Sequence, residues 1–68
     1  MKDVREVSLL AVELVSREGG QCSRPQLVRK MIFHLGDEGN STLAEEGISQ
    51  AIDDGYLWDA DSDNLRIV

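Results

Sequence analysis

Apolar side chains recur at spacings of three and four residues in three separate segments of the chain. That period places them on one side of a helix, so each segment predicts an amphipathic helix with one buried face. The predicted helices cover about residues 3–18, 24–35 and 42–54. Their apolar stripes are Val4, Val7, Leu10, Ala11, Leu14 and Val15; Leu27, Val28, Met31, Ile32 and Leu35; and Leu43, Ala44, Ile48, Ala51 and Ile52.

Polar residues in front of the stripes predict where the helices begin. Asp3 and Ser23 carry the side-chain oxygen with which an N-cap accepts a hydrogen bond from the first helical turn. Thr42, with Glu45 three residues later, matches a capping box, in which each side chain accepts a hydrogen bond from the other residue's backbone amide. Gly47 falls inside the third helix at a cost of about 1 kcal/mol, and we expect it to allow close packing against another helix.

The period changes after the third helix. The apolar run Tyr56–Trp58 and the run Leu65–Val68 flank the polar segment DADSDN. Two short apolar runs around a segment rich in turn formers predict a β-hairpin over about residues 56–68.

The predicted hairpin also indicates whether its aromatic residues, Tyr56 and Trp58, are exposed to solvent. If Leu57 faces the core together with Leu65 or Ile67, the alternation of side chains along a strand leaves Tyr56 and Trp58 at least partly exposed. The alternative is that Trp58 folds over the core as its largest apolar side chain.

The order of the elements indicates a single α+β domain over residues 1–68, mainly helical, with three helices and a C-terminal hairpin. The segment ISQAIDDGYLWDADSDNLRIV resembles the end of a winged-helix (winged helix-turn-helix) domain. There, the third helix runs into a Gly-aromatic-apolar sequence, a polar wing and an apolar return strand. The short link QCS, expected to be extended, and the upstream helices fit the same order. The resemblance implies that the third helix is the element that would enter a DNA groove, but a fold does not fix an activity.

Charge is distributed unevenly along the chain. The net charge is −6 at pH 7, with six Lys or Arg against four acids in residues 1–36, and nine acids against Arg66 alone in residues 37–68. An acidic surface repels the phosphate backbone of nucleic acids and attracts basic protein surfaces. The alternative is a solvated surface that contributes only to solubility.

We therefore expect a small regulator that binds another protein with a basic surface through the third helix and the wing. Winged-helix domains that lack DNA binding often serve as docking modules, and the predicted third helix contains no Lys or Arg. Aromatic side chains beside acids have the composition of a protein-binding hot spot. The predicted contact residues are Glu45, Glu46, Gln50, Asp53, Asp54, Tyr56 and Trp58.

A DNA-binding transcriptional regulator is the alternative function. It would contact phosphates through Arg17, Arg24, Arg29 and Lys30, with Gln50 near the bases. That basic group is small for duplex binding by one subunit, so this function would require a dimer. The structural alternative for the same residues is a set of solvated helix faces.

No motif predicts a catalytic, cofactor or metal site. DADSDN begins like an EF-hand calcium loop, but Asn64 stands where that loop needs glycine, and its glutamate would fall two residues beyond Val68. His34 is the chain's one histidine and is expected to be a partly buried helix residue. The sequence thus predicts a non-enzymatic protein without a cofactor. Weak metal sensing remains a minor alternative for three aspartates: Asp59, Asp61 and Asp63.

Cysteine content and hydropathy predict a cytoplasmic protein with no membrane segment. Cys22 is the only cysteine, so the chain forms no intrachain disulfide. Its thiol is either a small half-buried side chain or one whose pKa is lowered by the nearby guanidinium of Arg24. The first segment lacks the unbroken apolar core of a signal peptide, and there is no run of 18 apolar residues. A homodimer through an exposed patch around Phe33 is an option for self-association.

Overall fold

The computed structural model describes residues 3–36, 40–61 and 63–68. Within them the chain forms three helices and three short strands, which confirms the predicted α+β, mainly helical fold with a C-terminal hairpin. Part of the predicted loop after the second helix (residues 37–39) and Ser62 of the predicted hairpin turn lie outside the described residues. The elements in chain order are α1 (Val4–Arg17), β1 (Gln21–Ser23), α2 (Arg24–Leu35), α3 (Ser41–Asp53), β2 (Leu57–Asp61) and β3 (Asn64–Ile67).

The predicted starts of the first two helices are confirmed. Asp3 caps α1 by accepting a hydrogen bond from the backbone N–H of Arg5, and Ser23 caps α2 by accepting one from Gln26. Pro25 lies in the first turn of α2, where a backbone N–H would have no helical partner in any case. Ser23 therefore ends β1 and begins α2 without an intervening loop.

The cap of α3 differs from the prediction. Asn40 is the N-cap, and its Oδ1 accepts a hydrogen bond from the backbone N–H of Leu43 at 2.7 Å. Thr42 already lies inside the helix, so the predicted capping box of Thr42 with Glu45 is wrong. An N-cap needs an extended backbone, and Asn40 supplies it with φ −150° and ψ 163°.

The link that was expected to be extended is strand β1, and it joins the hairpin to make a three-stranded sheet. The strand order is β1-β3-β2, and both pairs are antiparallel. Cys22 in the centre of β1 lies opposite Leu65 of β3. The hairpin register shifts between Asp59 and Asp61, where β2 has an irregularity of the β-bulge type.

The core lies between the three helices and one face of the sheet. Leu57 and Leu65 are buried in it from the sheet, whereas Ile67 is 38% exposed. Of the two hairpin residues predicted to join Leu57 in the core, it is therefore Leu65 that is buried. Helix residues from each predicted stripe fill the remainder. The buried apolar residues are Val7, Ala11, Leu14, Val15, Cys22, Leu27, Met31, Leu35, Ala44, Ile48, Ala51, Leu57 and Leu65. None of the described helices is both long enough and apolar enough to cross a membrane.

Helices α1 and α3 approach each other closely at Gly47. This glycine is buried against Val7, and a Cβ atom added to it would lie 2.9 Å from Cβ of Val7 and 3.0 Å from its carbonyl carbon. Contacts that short do not occur between real Cβ atoms, so the helices keep this distance only because residue 47 has no side chain. The close packing predicted at Gly47 is confirmed.

Candidate functional site

The outer face of α3 forms a wall of an open groove with an acidic lining. The groove has a volume of about 460 Å³ and runs between α3 and the first residue of α1. Three of its residues are carboxylates, and no Lys or Arg lines it. We call it the acidic groove, and its lining is Val4, Thr42, Glu45, Glu46, Ser49, Gln50 and Asp53.

The helical period explains why these side chains share one face. Residues 45, 46, 49, 50 and 53 repeat at spacings of three and four along α3, which places them on neighbouring turns of one side. The opposite side carries the buried residues, so it faces the core. Those buried residues are Ala44, Gly47, Ile48 and Ala51.

The end of α3 gathers further negative charge. Asp54 is the C-cap, and its Oδ1 accepts a hydrogen bond from Nε2 of Gln50 at 3.0 Å. The last turn of the helix contains Asp53 and no basic residue. Carboxylates at a helix C-terminus face the negative end of the helix dipole, so both aspartates are placed against the local electrostatic preference. The helix dipole therefore does not explain the placement of Asp53 and Asp54.

Trp58 lies on the solvent face of the sheet. Its side chain is 54% exposed, because Leu57 takes the inward position beside it. Arg66 lies opposite Trp58 on β3, and its guanidinium carbon is 5.9 Å from the centre of the Trp58 ring. At that distance the cation is attracted by the ring face. The alternative that Trp58 covers the core is wrong, and the predicted exposure is confirmed.

Tyr56 is also half exposed, at 50%. It lies in the turn before β2 rather than on the strand, so the predicted strand alternation applies to Trp58 but not to Tyr56. Its carbonyl accepts a hydrogen bond from the backbone N–H of Val68 at 3.3 Å, which ties the last residue of the chain to the start of the hairpin.

A second open groove, of about 580 Å³, lies between the end of α3 and the hairpin. Four of its lining residues are aliphatic, one is the indole of Trp58, and one is Arg66. We call it the apolar groove, and its lining is Ile52, Leu57, Trp58, Arg66, Ile67 and Val68. Ile52 of this groove and Asp53 of the acidic groove are consecutive in α3, so the two grooves meet at the end of that helix.

Five of the seven predicted contact residues line two neighbouring surfaces. The acidic groove unites four of them: Glu45, Glu46, Gln50 and Asp53. Trp58 lines the apolar groove, whereas Asp54 and Tyr56 line neither of the two. Sequence reasoning missed the other walls of the apolar groove. Ile52 packs against the core, as its place in the third stripe predicts, and it also lines this groove. Nothing in the sequence pattern shows that residues 66–68 lie beside it.

Known proteins offer no guide to these surfaces. Comparisons of the chain with protein-family models, with curated proteins and with solved structures found no match. The chemistry of the two grooves is therefore the basis for a functional inference.

Ion pairs engage two of the four basic residues predicted for nucleic-acid contact. Arg17 pairs with Glu13 at 3.4 Å between Nη2 and Oε1, and Lys30 pairs with Glu18. The acidic partners reduce the positive charge that this side of the molecule presents. The remaining two lie on α2 and are Arg24, half-buried, and Arg29, exposed.

The cysteine and the histidine differ from their expected environments. Cys22 is buried opposite Leu65, and burial raises the pKa of its thiol, so the lowered pKa considered for a thiol near Arg24 is wrong. His34 is exposed rather than partly buried, and its ring meets that of Phe33 edge to face at 5.8 Å between centroids. Neither residue lines the acidic groove or the apolar groove.

The hairpin aspartates that the structure describes do not form a metal site. Asp59 and Asp63 are exposed, whereas the side chain of Asp61 and all of Ser62 lie outside the described part of the structure. Among the residues that are described, no group of three or more His, Cys, Asp or Glu side chains is arranged to hold a metal ion.

Proposed function

We propose that this chain is a winged-helix domain that acts as a non-enzymatic regulator by binding another protein through α3 and the hairpin. Three helices followed by a terminal hairpin support the fold assignment. The partner presents a basic surface to the acidic groove and packs on the exposed aromatic residues beside it. The proposal places the domain in the cytoplasm, where its single cysteine requires no disulfide partner.

The acidic groove is the observation that carries this proposal. In a winged-helix domain α3 is the element that would lie against DNA, yet its outer face presents Glu45, Glu46 and Asp53. Affinity for DNA depends largely on the neutralisation of phosphates by Lys and Arg, and α3 has neither. The same carboxylates favour a basic protein surface, because complementary charge accelerates encounter and disfavours wrong partners.

A capture experiment with matched charge variants tests the proposal. The immobilised wild-type domain, the Glu45→Lys/Glu46→Lys variant and the Glu6→Lys/Glu13→Lys variant are each incubated with extract, and retained proteins are identified by mass spectrometry. Both variants change the net charge by the same amount, but only the first alters the acidic groove. We expect the wild type and the α1 variant to retain a common partner that the α3 variant loses. Equal retention by all three would disprove docking through α3.

A DNA-binding regulator, acting as a dimer through α2, is the weaker alternative. The ion pairs of Arg17 and Lys30 with glutamates weigh against it, because a phosphate would have to displace those partners. Fluorescence titration of a labelled duplex in low salt separates the two functions. We expect no binding at micromolar protein, and binding with a steep dependence on salt would favour the alternative.

A further inference from the structure

We infer that the apolar groove binds one large aliphatic or aromatic side chain of the partner, and that Lys or Arg residues next to this side chain bind the carboxylates at the end of α3. The inference rests on the proposed function, because it names the chemistry of the segment that the domain would dock. The partner is thus a basic peptide segment with a single apolar anchor.

The shape and lining of the apolar groove fit such an anchor. Leu57 lies at its base with 2% of its surface exposed, while Ile67 at 38% and Val68 at 77% leave apolar surface open to solvent. Its volume of about 580 Å³ leaves room for one large side chain. Hot spots of protein interfaces typically place a large side chain into a pocket of this type.

The carboxylates at the end of α3 select the residues next to the anchor. Asp53 and Asp54 follow Ile52 there, and Asp53 lines the acidic groove that meets the apolar groove at this end. Arg66, the one cation in the lining, lies over the Trp58 ring. Cationic residues next to an apolar anchor would therefore meet complementary charge at this end of the groove.

The same charges make a second copy of this chain a poor occupant. A copy would bring its own excess of acids toward the aspartates at the end of α3, since residues 37–68 hold nine acids and one arginine. Like charges brought together across an interface oppose association. A basic partner avoids this repulsion.

Three synthetic peptides without tryptophan test the inference directly. The first has a central Leu flanked by Lys residues, the second replaces that Leu by Ser, and the third keeps the Leu and replaces the Lys residues by Glu. Binding is measured by the anisotropy of labelled peptides and, with unlabelled peptides, by the emission of Trp58, the only tryptophan in the chain. We expect the Leu-Lys peptide to bind with a blue shift of that emission. The Ser peptide should bind at least about tenfold more weakly, and the Glu peptide should not bind.

Two single variants localise the contact. Val68→Ser changes a groove residue that is 77% exposed, and Phe33→Ser changes an equally accessible apolar residue of α2 that does not line the groove. We expect Val68→Ser to lower the affinity for the Leu-Lys peptide about three- to tenfold and Phe33→Ser to leave that affinity unchanged.

Several outcomes would overturn the inference and leave the proposed function to its own test. These are equal binding of the Leu and Ser peptides, an unchanged Trp58 emission, equal effects of the two variants, and no peptide binding. A dimer in sedimentation equilibrium that Val68→Ser dissociates would identify a second copy as the occupant and overturn the choice of partner. The Leu-Lys peptide could bind as expected while Glu45→Lys/Glu46→Lys leaves capture of the partner protein unchanged. That result would disprove docking through the α3 face, but the apolar groove would remain a binding site.

Discussion

Gly47 and Val7 form a close contact between α1 and α3, and it depends on a single absent side chain. Glycine inside a helix is unfavourable by about 1 kcal/mol relative to alanine, so packing has to compensate for it. The compensation is the close approach of α1, whose Val7 is fully buried against Gly47. Propensity and packing thus make opposite predictions for a substitution at this position.

We expect Gly47→Ala to destabilise the domain by about 1–3 kcal/mol, because the added methyl group would meet Cγ1, Cβ and the carbonyl carbon of Val7, whose branched side chain is stiff and fully buried. Unfolding in urea, followed by circular dichroism, measures the change. Ser49→Ala is the matched control on the exposed face of α3, where a better helix former meets no core atom. It should leave stability unchanged or slightly raised. A Gly47→Ala protein as stable as the wild type would show that α1 and α3 do not pack this closely.

The start of α3 is the point at which local sequence signals compete. Asn40 and Thr42 both belong to the residue types favoured at N-caps, and the Glu three residues after Thr42 made a capping box attractive. Only one of them can have the extended backbone of a cap, and that residue is Asn40. Residue type alone does not separate Asn40 from Thr42, and the extended backbone of Asn40 decides between them.

This choice of cap predicts different effects for two similar substitutions. Asn40→Ala should cost about 1 kcal/mol, because it removes the acceptor of the 2.7 Å hydrogen bond from the backbone N–H of Leu43. Thr42→Ala should change the unfolding free energy by less than about 0.5 kcal/mol, since Thr42 is exposed within the first turn. Urea unfolding of both variants gives the comparison. The capping box would be reinstated if Thr42→Ala proved the more damaging of the two.

The sequence was sufficient for the helices and the hairpin, because each has a long apolar period or a strong turn signal. It could not identify β1 as a paired strand, since Gln21–Ser23 is only three residues and its pairing partner lies more than forty residues away. The acidic face of α3 followed from helical spacing alone. The apolar groove did not, because it depends on Ile52 and Val68 meeting in space, which is set by the hairpin register and its irregularity at Asp59 and Asp61.

At the scale of the whole molecule, the excess of acidic residues produces an electrostatic repulsion that extends across the domain. The domain measures 29 × 21 × 19 Å and carries a net charge of −6. The screening length is about 30 Å at 0.01 M salt, so at that concentration the carboxylates repel one another across the whole domain. At 0.1 M salt it is about 10 Å, and only neighbouring carboxylates interact. Self-repulsion of this kind destabilises the compact state.

We therefore expect stability to rise with salt between about 0.01 M and 0.1 M NaCl. The two described ion pairs, Arg17–Glu13 and Lys30–Glu18, act in the opposite direction, but surface pairs contribute only about 0–1 kcal/mol and less as salt increases. Glu46→Gln should raise the unfolding free energy at low salt by about 0.2–0.5 kcal/mol and reduce the response to salt. Glu13→Gln removes the same charge together with the partner of Arg17, so its gain should be smaller. A stability that falls with salt in the wild type, measured by urea unfolding at both concentrations, would mean that the ion pairs outweigh the repulsion among the acids of α3 and the hairpin.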